Sequence, residues 1–268
     1  MNFKTPREIE KQFRNNLGQI NPYMCLVDVA VKNMIKQFEK DEIHNISKQY
    51  GYPNIITEHM NLNSLSQLVH LSHITYIQSK AEEATKNIVK IANIRDGLKK
   101  SGNGNFFDKA IHKVHYTKNE SLEPQLQDEI TKPLTTQYIG RKETLIINYY
   151  LKIRNRTIHS DKEKSDININ NYFKGYLNEI EKEFGFIPNP INLLTENDVY
   201  LLSLVWQSTI KKFTKQCINI KRDILPEQMK KYRGTTLKRK QASIRNFLKL
   251  EYLISDEELN DIISEMGY

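Results

Sequence analysis

The sequence predicts an all-α protein, a helical bundle of about eight or nine helices. Three observations predict it. Apolar residues recur at spacings of three and four along most of the chain, no run of strand alternation interrupts them, and only 10 glycines and 8 prolines punctuate 268 residues. Hydrophobic residues at 38% and charged residues at 27% allow a buried core and exclude a collagen-like, linker-like or strongly disordered chain.

In chain order, Asn21-Pro22 opens a helix running from Tyr23 to about Lys48, with proline in the first turn, and Gly51-Tyr52-Pro53-Asn54 breaks it. The clearest helix is a long one near residues 62–98. Ile74, Ile77, Ala81, Ala84, Ile88 and Ile91 alternate spacings of three and four, and Leu98 extends this apolar seam, which weakens at Arg95. Such a stripe is buried either against other helices of the chain or against a second copy. Ser101-Gly102-Asn103-Gly104-Asn105 reads as a loop, and residues 116–135, with Pro124 and Pro133, as an irregular connector.

A helix follows from about Thr136 to Ile153, with Leu145, Ile146, Tyr149, Tyr150 and Ile153 on its buried face. Another spans Tyr172 to Phe184, stopped by Gly185 and Pro188. Asp198 is a candidate N-cap for a helix through Ile220 that buries Leu202, Val205, Trp206, Ile210, Phe213 and Cys217. Thr235 or Thr236 starts the next, to about Leu253. Ser255 with Glu258 forms a capping box for the last. These elements fall into an N-terminal helical region (1–120), a central pair of helices (136–185) and a C-terminal basic region (191–268), or into one continuous helical domain.

The net charge of +8 is concentrated. From Lys211 to Lys249 there are 13 basic residues opposed only by Asp223 and Glu227, whereas Glu251 onward is acidic. This window, with Lys230, Lys231, Arg233, Lys238, Arg239, Lys240 and Arg245 at its centre, is either a docking surface for phosphates or a solvated face partly neutralised by the acidic tail. The two cysteines, Cys25 and Cys217, cannot build a disulfide framework, and neither a signal-peptide core nor an uninterrupted apolar span is present. The expectation is a cytoplasmic protein without a membrane partner.

One constellation carries chemistry. The helix ending near Ile153 runs into Arg154-Asn155-Arg156-Thr157-Ile158-His159. A histidine titrating near neutrality can move protons, and a permanently charged guanidinium fork matches a phosphate. The alternative is a polar helix end whose cations meet the helix dipole. An Arg, a polar residue directly after it, and a His five positions on, in an all-helical setting, resemble the signature of the HEPN superfamily.

That resemblance implies a metal-independent endoribonuclease, needing no cofactor, of the kind found in toxin–antitoxin and antiviral defence systems. It implies His159 as acid/base, Arg154 as phosphate clamp and Asn155 as an orienting residue. It also implies a homodimer in which two motifs face one cleft, with RNA as substrate and an antitoxin or other defence-system protein as partner. Lys152 and Arg156 would contact the RNA backbone, since Arg154 and Arg156 diverge by about 200° on a helix. The rival is a non-catalytic helical nucleic-acid-binding or adaptor protein that uses the basic window alone.

Other chemistries fit less well. His70/His73 and His112/His115 have a spacing that would suit zinc if the two pairs met, but no neighbouring cysteine strengthens them, and no metal is expected. Nucleotide-loop and hydrolase-elbow motifs are missing. Cys25, Cys217 and Trp206 read as packed side chains, and Tyr149 and Tyr150 are the aromatics best placed beside the motif to stack on a base.

Overall fold

Amphipathic stripes without strand alternation leave helix-on-helix packing as the way to bury apolar surface. The computed structural model shows this over the residues it describes: 5–54, 63–92, 105–118, 131–159, 167–218 and 220–266. Among these, twelve α-helices and no strand occur. They are α1 (Pro6–Gln37), α2 (Lys40–Gln49), α3 (Asn63–Ile91), α4 (Phe106–Lys118), α5 (Thr131–Ile139), α6 (Arg141–His159), α7 (Ile169–Phe173), α8 (Leu177–Phe184), α9 (Glu196–Gln216), α10 (Leu225–Lys231), α11 (Leu237–Glu251) and α12 (Asp256–Met266). Among the described residues, no helix is long and apolar enough to cross a membrane.

The all-α class is as expected, and the larger helix count comes from breaks with local causes. The expected helix from Tyr23 to Lys48 is divided at Phe38-Glu39, where the Glu39 N–H donates to the Glu42 carboxylate (2.9 Å) and starts α2. Pro22 does not open a helix. It lies inside the 32-residue α1, which continues through it although proline supplies no N–H to the ladder. Burial of Ile9, Phe13 and Leu17 before it and Met24 after it holds both flanks.

Between α5 and α6, Gly140 has φ +105°, and a Cβ there would lie 2.5 Å from Glu143 Oε2. Lys174 and Gly175, both at positive φ, separate α7 from α8, while Gly185 ends α8 in the left-handed conformation as its sequence signal implies. Pro133 falls in the first turn of α5 rather than in an irregular connector. Ser255 and Glu258 form the expected capping box: the Ser255 N–H donates to Glu258 Oε2 (3.1 Å) and the Glu258 N–H to Ser255 Oγ (3.3 Å).

The seam of α3 is consumed inside the chain. Ile74, Ile77, Ala81 and Ile88 are wholly buried and Ala84 nearly so, which favours the intramolecular alternative for this stripe. Arg95, where the seam is expected to weaken, and Leu98, expected to extend it, lie outside the described residues, as do the 101–104 loop and residues 119–130 of the connector.

The chain divides into two compact units, each assembled from separate stretches: residues 1–15, 79–144 and 205–268 form the first, and residues 16–78 and 145–204 the second. In the first, Phe107 meets Trp206 and Phe213 edge-on, with ring centroids 5.2 Å apart in each pair. Ile244, Leu248, Leu259 and Ile262 bind α11 to α12. In the second, Tyr149 is packed among Tyr150, Tyr172 and Phe173.

Candidate functional site

The Arg154–His159 motif occupies the last turns of α6 rather than a segment beyond it, because the helix continues to His159. Ile146, Tyr149, Tyr150 and Ile153 anchor this end of α6 by burying its opposite face. The Tyr149 hydroxyl donates to the Asn189 carbonyl (2.5 Å), and burial raises its pKa. Tyr149 and Tyr150 are thus core residues, closed to base stacking.

Along the outer face, Lys152 is exposed with its Nζ 4.8 Å from the centre of the Tyr172 ring. Asn155 is exposed and Arg156 half-buried. Arg154 is half-buried too, and its Nε is buried without a hydrogen-bond partner among the described residues. The side chains of Thr157, Ile158 and His159 lie outside the described part. On a regular helix, positions 154 and 159 stand about 140° apart around the axis.

The basic window belongs to the first unit and the motif to the second. The acidic α12 answers only part of the window: Lys249 Nζ donates to Asp256 Oδ2 (2.7 Å) and Arg245 to Asn260 Oδ1 (2.8 Å). Lys249 accordingly holds the Asp256 carboxyl below its usual pKa. Lys212 is paired with the buried Glu143. Lys230, Lys231, Arg233, Lys238 and Arg239 are exposed and Lys240 half-buried, and none meets a carboxylate among the described residues. Among the described residues, the tail therefore leaves the centre of the window without an acidic partner.

His70 and His73 belong to the second unit, His112 and His115 to the first. His115 Nδ1 lies 3.2 Å from the Tyr138 hydroxyl, and the His112 ring lies against Tyr116. Burial lowers the pKa of His115, with Lys118 adding to the effect.

His70 instead belongs to a cluster that the sequence reading missed. In the second unit, α1, α3 and α9 line a cleft of about 280 Å³. There Asp28, His70 and Glu196 bring three ligand atoms within 4.8 Å of one another. His70 Nδ1 lies 3.1 Å from the Leu194 carbonyl, and Nε2 lies 3.2 Å from Asp28 Oδ1 and 3.9 Å from Glu196 Oε2. Lys32 Nζ reaches Asp28 Oδ2 (2.7 Å) and Glu196 Oε2 (3.4 Å), and the hydrogen bond to Asp28 raises its pKa. The one sequence signal was His70 itself, because its partners come from remote helices.

The chain matches no family model, no curated protein and no solved structure. Its functional reading therefore rests on its own residues.

Proposed function

We propose that this chain is a HEPN-type endoribonuclease, a homodimeric RNA-cleaving effector of a toxin–antitoxin or antiviral defence system. The observation that carries the reading is the Arg154 guanidinium: partly withdrawn from water at the end of a packed helix, its Nε buried and given no acceptor among the described residues. A buried guanidinium N–H without an acceptor is costly unless an outside group completes it, and a scissile phosphate is a suitable anion.

In the reaction the ribose 2′-oxygen attacks the adjacent phosphorus as its proton passes to a base. The bond to the 5′-oxygen breaks as that oxygen receives a proton from an acid, leaving a 2′,3′-cyclic phosphate and a 5′-hydroxyl. His159 serves the proton transfers, Arg154 stabilises the charge growing on the phosphoryl oxygens, and Asn155 orients the substrate. Lys152 and Arg156 contact the backbone nearby. This route asks for no metal or other cofactor.

The separation of positions 154 and 159 around α6 favours a site shared between two chains. The exposed apolar side chains Tyr23, Leu26 and Val27 of α1 offer a surface for such a contact in the motif's own unit. An antitoxin or another defence protein would restrain the activity. The free thiols Cys25 and Cys217 suit the reducing cytoplasm.

The test is incubation of the purified chain with RNA in excess EDTA. Wild type yields 2′,3′-cyclic phosphate ends, while Arg154→Ala and His159→Ala each cut slower by about 10²-fold or more. Undiminished cleavage by His159→Ala would remove the reading.

A second reading has its own support in the uncompensated cations of α10 and α11: a non-catalytic nucleic-acid-binding or adaptor protein. Reversing Lys238, Arg239 and Lys240 to Glu should weaken RNA binding and flatten its dependence on salt, since fewer counterions are released. Binding that is unchanged in both respects would reduce the window to a solvated face.

A further inference from the structure

We propose that Asp28 Oδ1, His70 Nε2 and Glu196 Oε2 form a site for a divalent metal ion of the zinc class, with a coordination position open to the cleft. This inference is independent of the nuclease reading, since it involves none of the motif residues.

A carbonyl oxygen can only accept, so the 3.1 Å contact with Leu194 places a proton on His70 Nδ1. In the neutral ring this leaves Nε2 as a lone pair, and that lone pair faces Asp28 Oδ1 at 3.2 Å. Both atoms are buried, and the pair is not aligned as a hydrogen bond, so each lacks a partner. The His70 side chain is only 4% exposed, which keeps water from serving it freely. Two electron-pair donors held this close at the edge of the cleft are satisfied by a shared cation.

Lys32 does not fill that need. Its ammonium serves the other Asp28 oxygen and reaches the outer Glu196 carboxylate, and its side chain is 44% exposed and free to withdraw. A carbonyl that fixes the ring tautomer from behind is also the usual support of a metal-bound histidine.

The spacing agrees with the ion. Two donors each about 2.0–2.1 Å from a tetrahedral zinc lie about 3.3 Å apart. The His70–Asp28 separation of 3.2 Å is close to this. The 3.9 Å separation to Glu196 needs only a small rotation of a side chain that is 51% exposed. One imidazole with two carboxylates is a borderline donor set, suited to Zn²⁺ or Co²⁺ over Ca²⁺ or Mg²⁺.

The experiment is Co²⁺ titration of the chelator-treated full chain, read by ligand-field absorption, with Zn²⁺ as competitor. Wild type should show one saturable site from which Zn²⁺ displaces Co²⁺. Glu196→Gln, a conservative change at an exposed side chain, should weaken binding by about tenfold or more. Asp28→Asn should do the same, and Lys32→Met should bind at least as tightly as wild type because it removes a competing cation. Absence of a saturable site in wild type would overturn the proposal, as would unchanged affinity in Glu196→Gln or loss of binding in Lys32→Met.

Discussion

Equal mixing of Arg154→Ala and His159→Ala chains restores cleavage to about a quarter of the wild-type rate, although each variant alone is nearly inactive. The expectation follows from helix geometry. Both positions lie on the regular helix α6, and five residues of rotation put them about 140° apart. A phosphate approached by residue 154 of one chain is therefore best served by residue 159 of another. In an exchanging equal mixture about half the dimers carry one chain of each kind, and one of the two Arg154–His159 pairs that face the cleft in each is intact. Mass measurement under the same conditions establishes that the subunits have exchanged. A mixture that exchanges and stays as inactive as its parents would exclude the shared site, and the proposal would have to return to a pair within one chain.

Local signals in the sequence are those the structure follows most closely. The α3 seam, the Gly185 stop and the Ser255–Glu258 box depend on residues three or four positions apart, and such neighbours meet wherever the helix lies. Signals decided at a distance were not legible. Proline ordinarily breaks a helix, but Pro22 lies in α1 because buried residues on both sides outweigh the lost hydrogen bond. Asp198 has the residue type of an N-cap, yet it is the third residue of α9 and accepts from the N–H of Thr195, which precedes the helix. The Asp28–His70–Glu196 cluster joins three helices from distant parts of the chain, and only contact in space makes it visible. The motif shows the same limit, since sequence spacing gives the residue types but not whether Arg154 has an acceptor.

Replacing Asp198 by Ala should lower stability by about 3–5 kcal/mol. Its side chain is wholly buried and carries a network of donors without a basic partner among the described residues. Oδ1 accepts from the Tyr150 hydroxyl (2.6 Å) and the Asn189 N–H (2.8 Å). Oδ2 accepts from Asn189 Nδ2 (2.9 Å), the Thr195 N–H (2.8 Å) and the Thr195 hydroxyl (3.3 Å). Alanine strands the buried Tyr150 hydroxyl and leaves the half-buried Asn189 and Thr195 groups without their acceptor, so the cost is that of several groups rather than of one lost bond. The start of α9 supplies part of the compensation for the carboxylate, because exposed N–H groups and the helix dipole favour an anion there.

Denaturant titration measures the loss, with Asp256→Ala as control: Asp256 meets Lys249 in open solvent, and its midpoint should stay close to wild type. A shift for Asp198→Ala no larger than the control's would mean that water replaces the missing acceptor. The same carboxylate fixes the turn that delivers Glu196, the first residue of α9, to the cleft. An Asp198→Ala chain that still folds should therefore also bind Co²⁺ more weakly, although Asp198 touches none of the three proposed ligands.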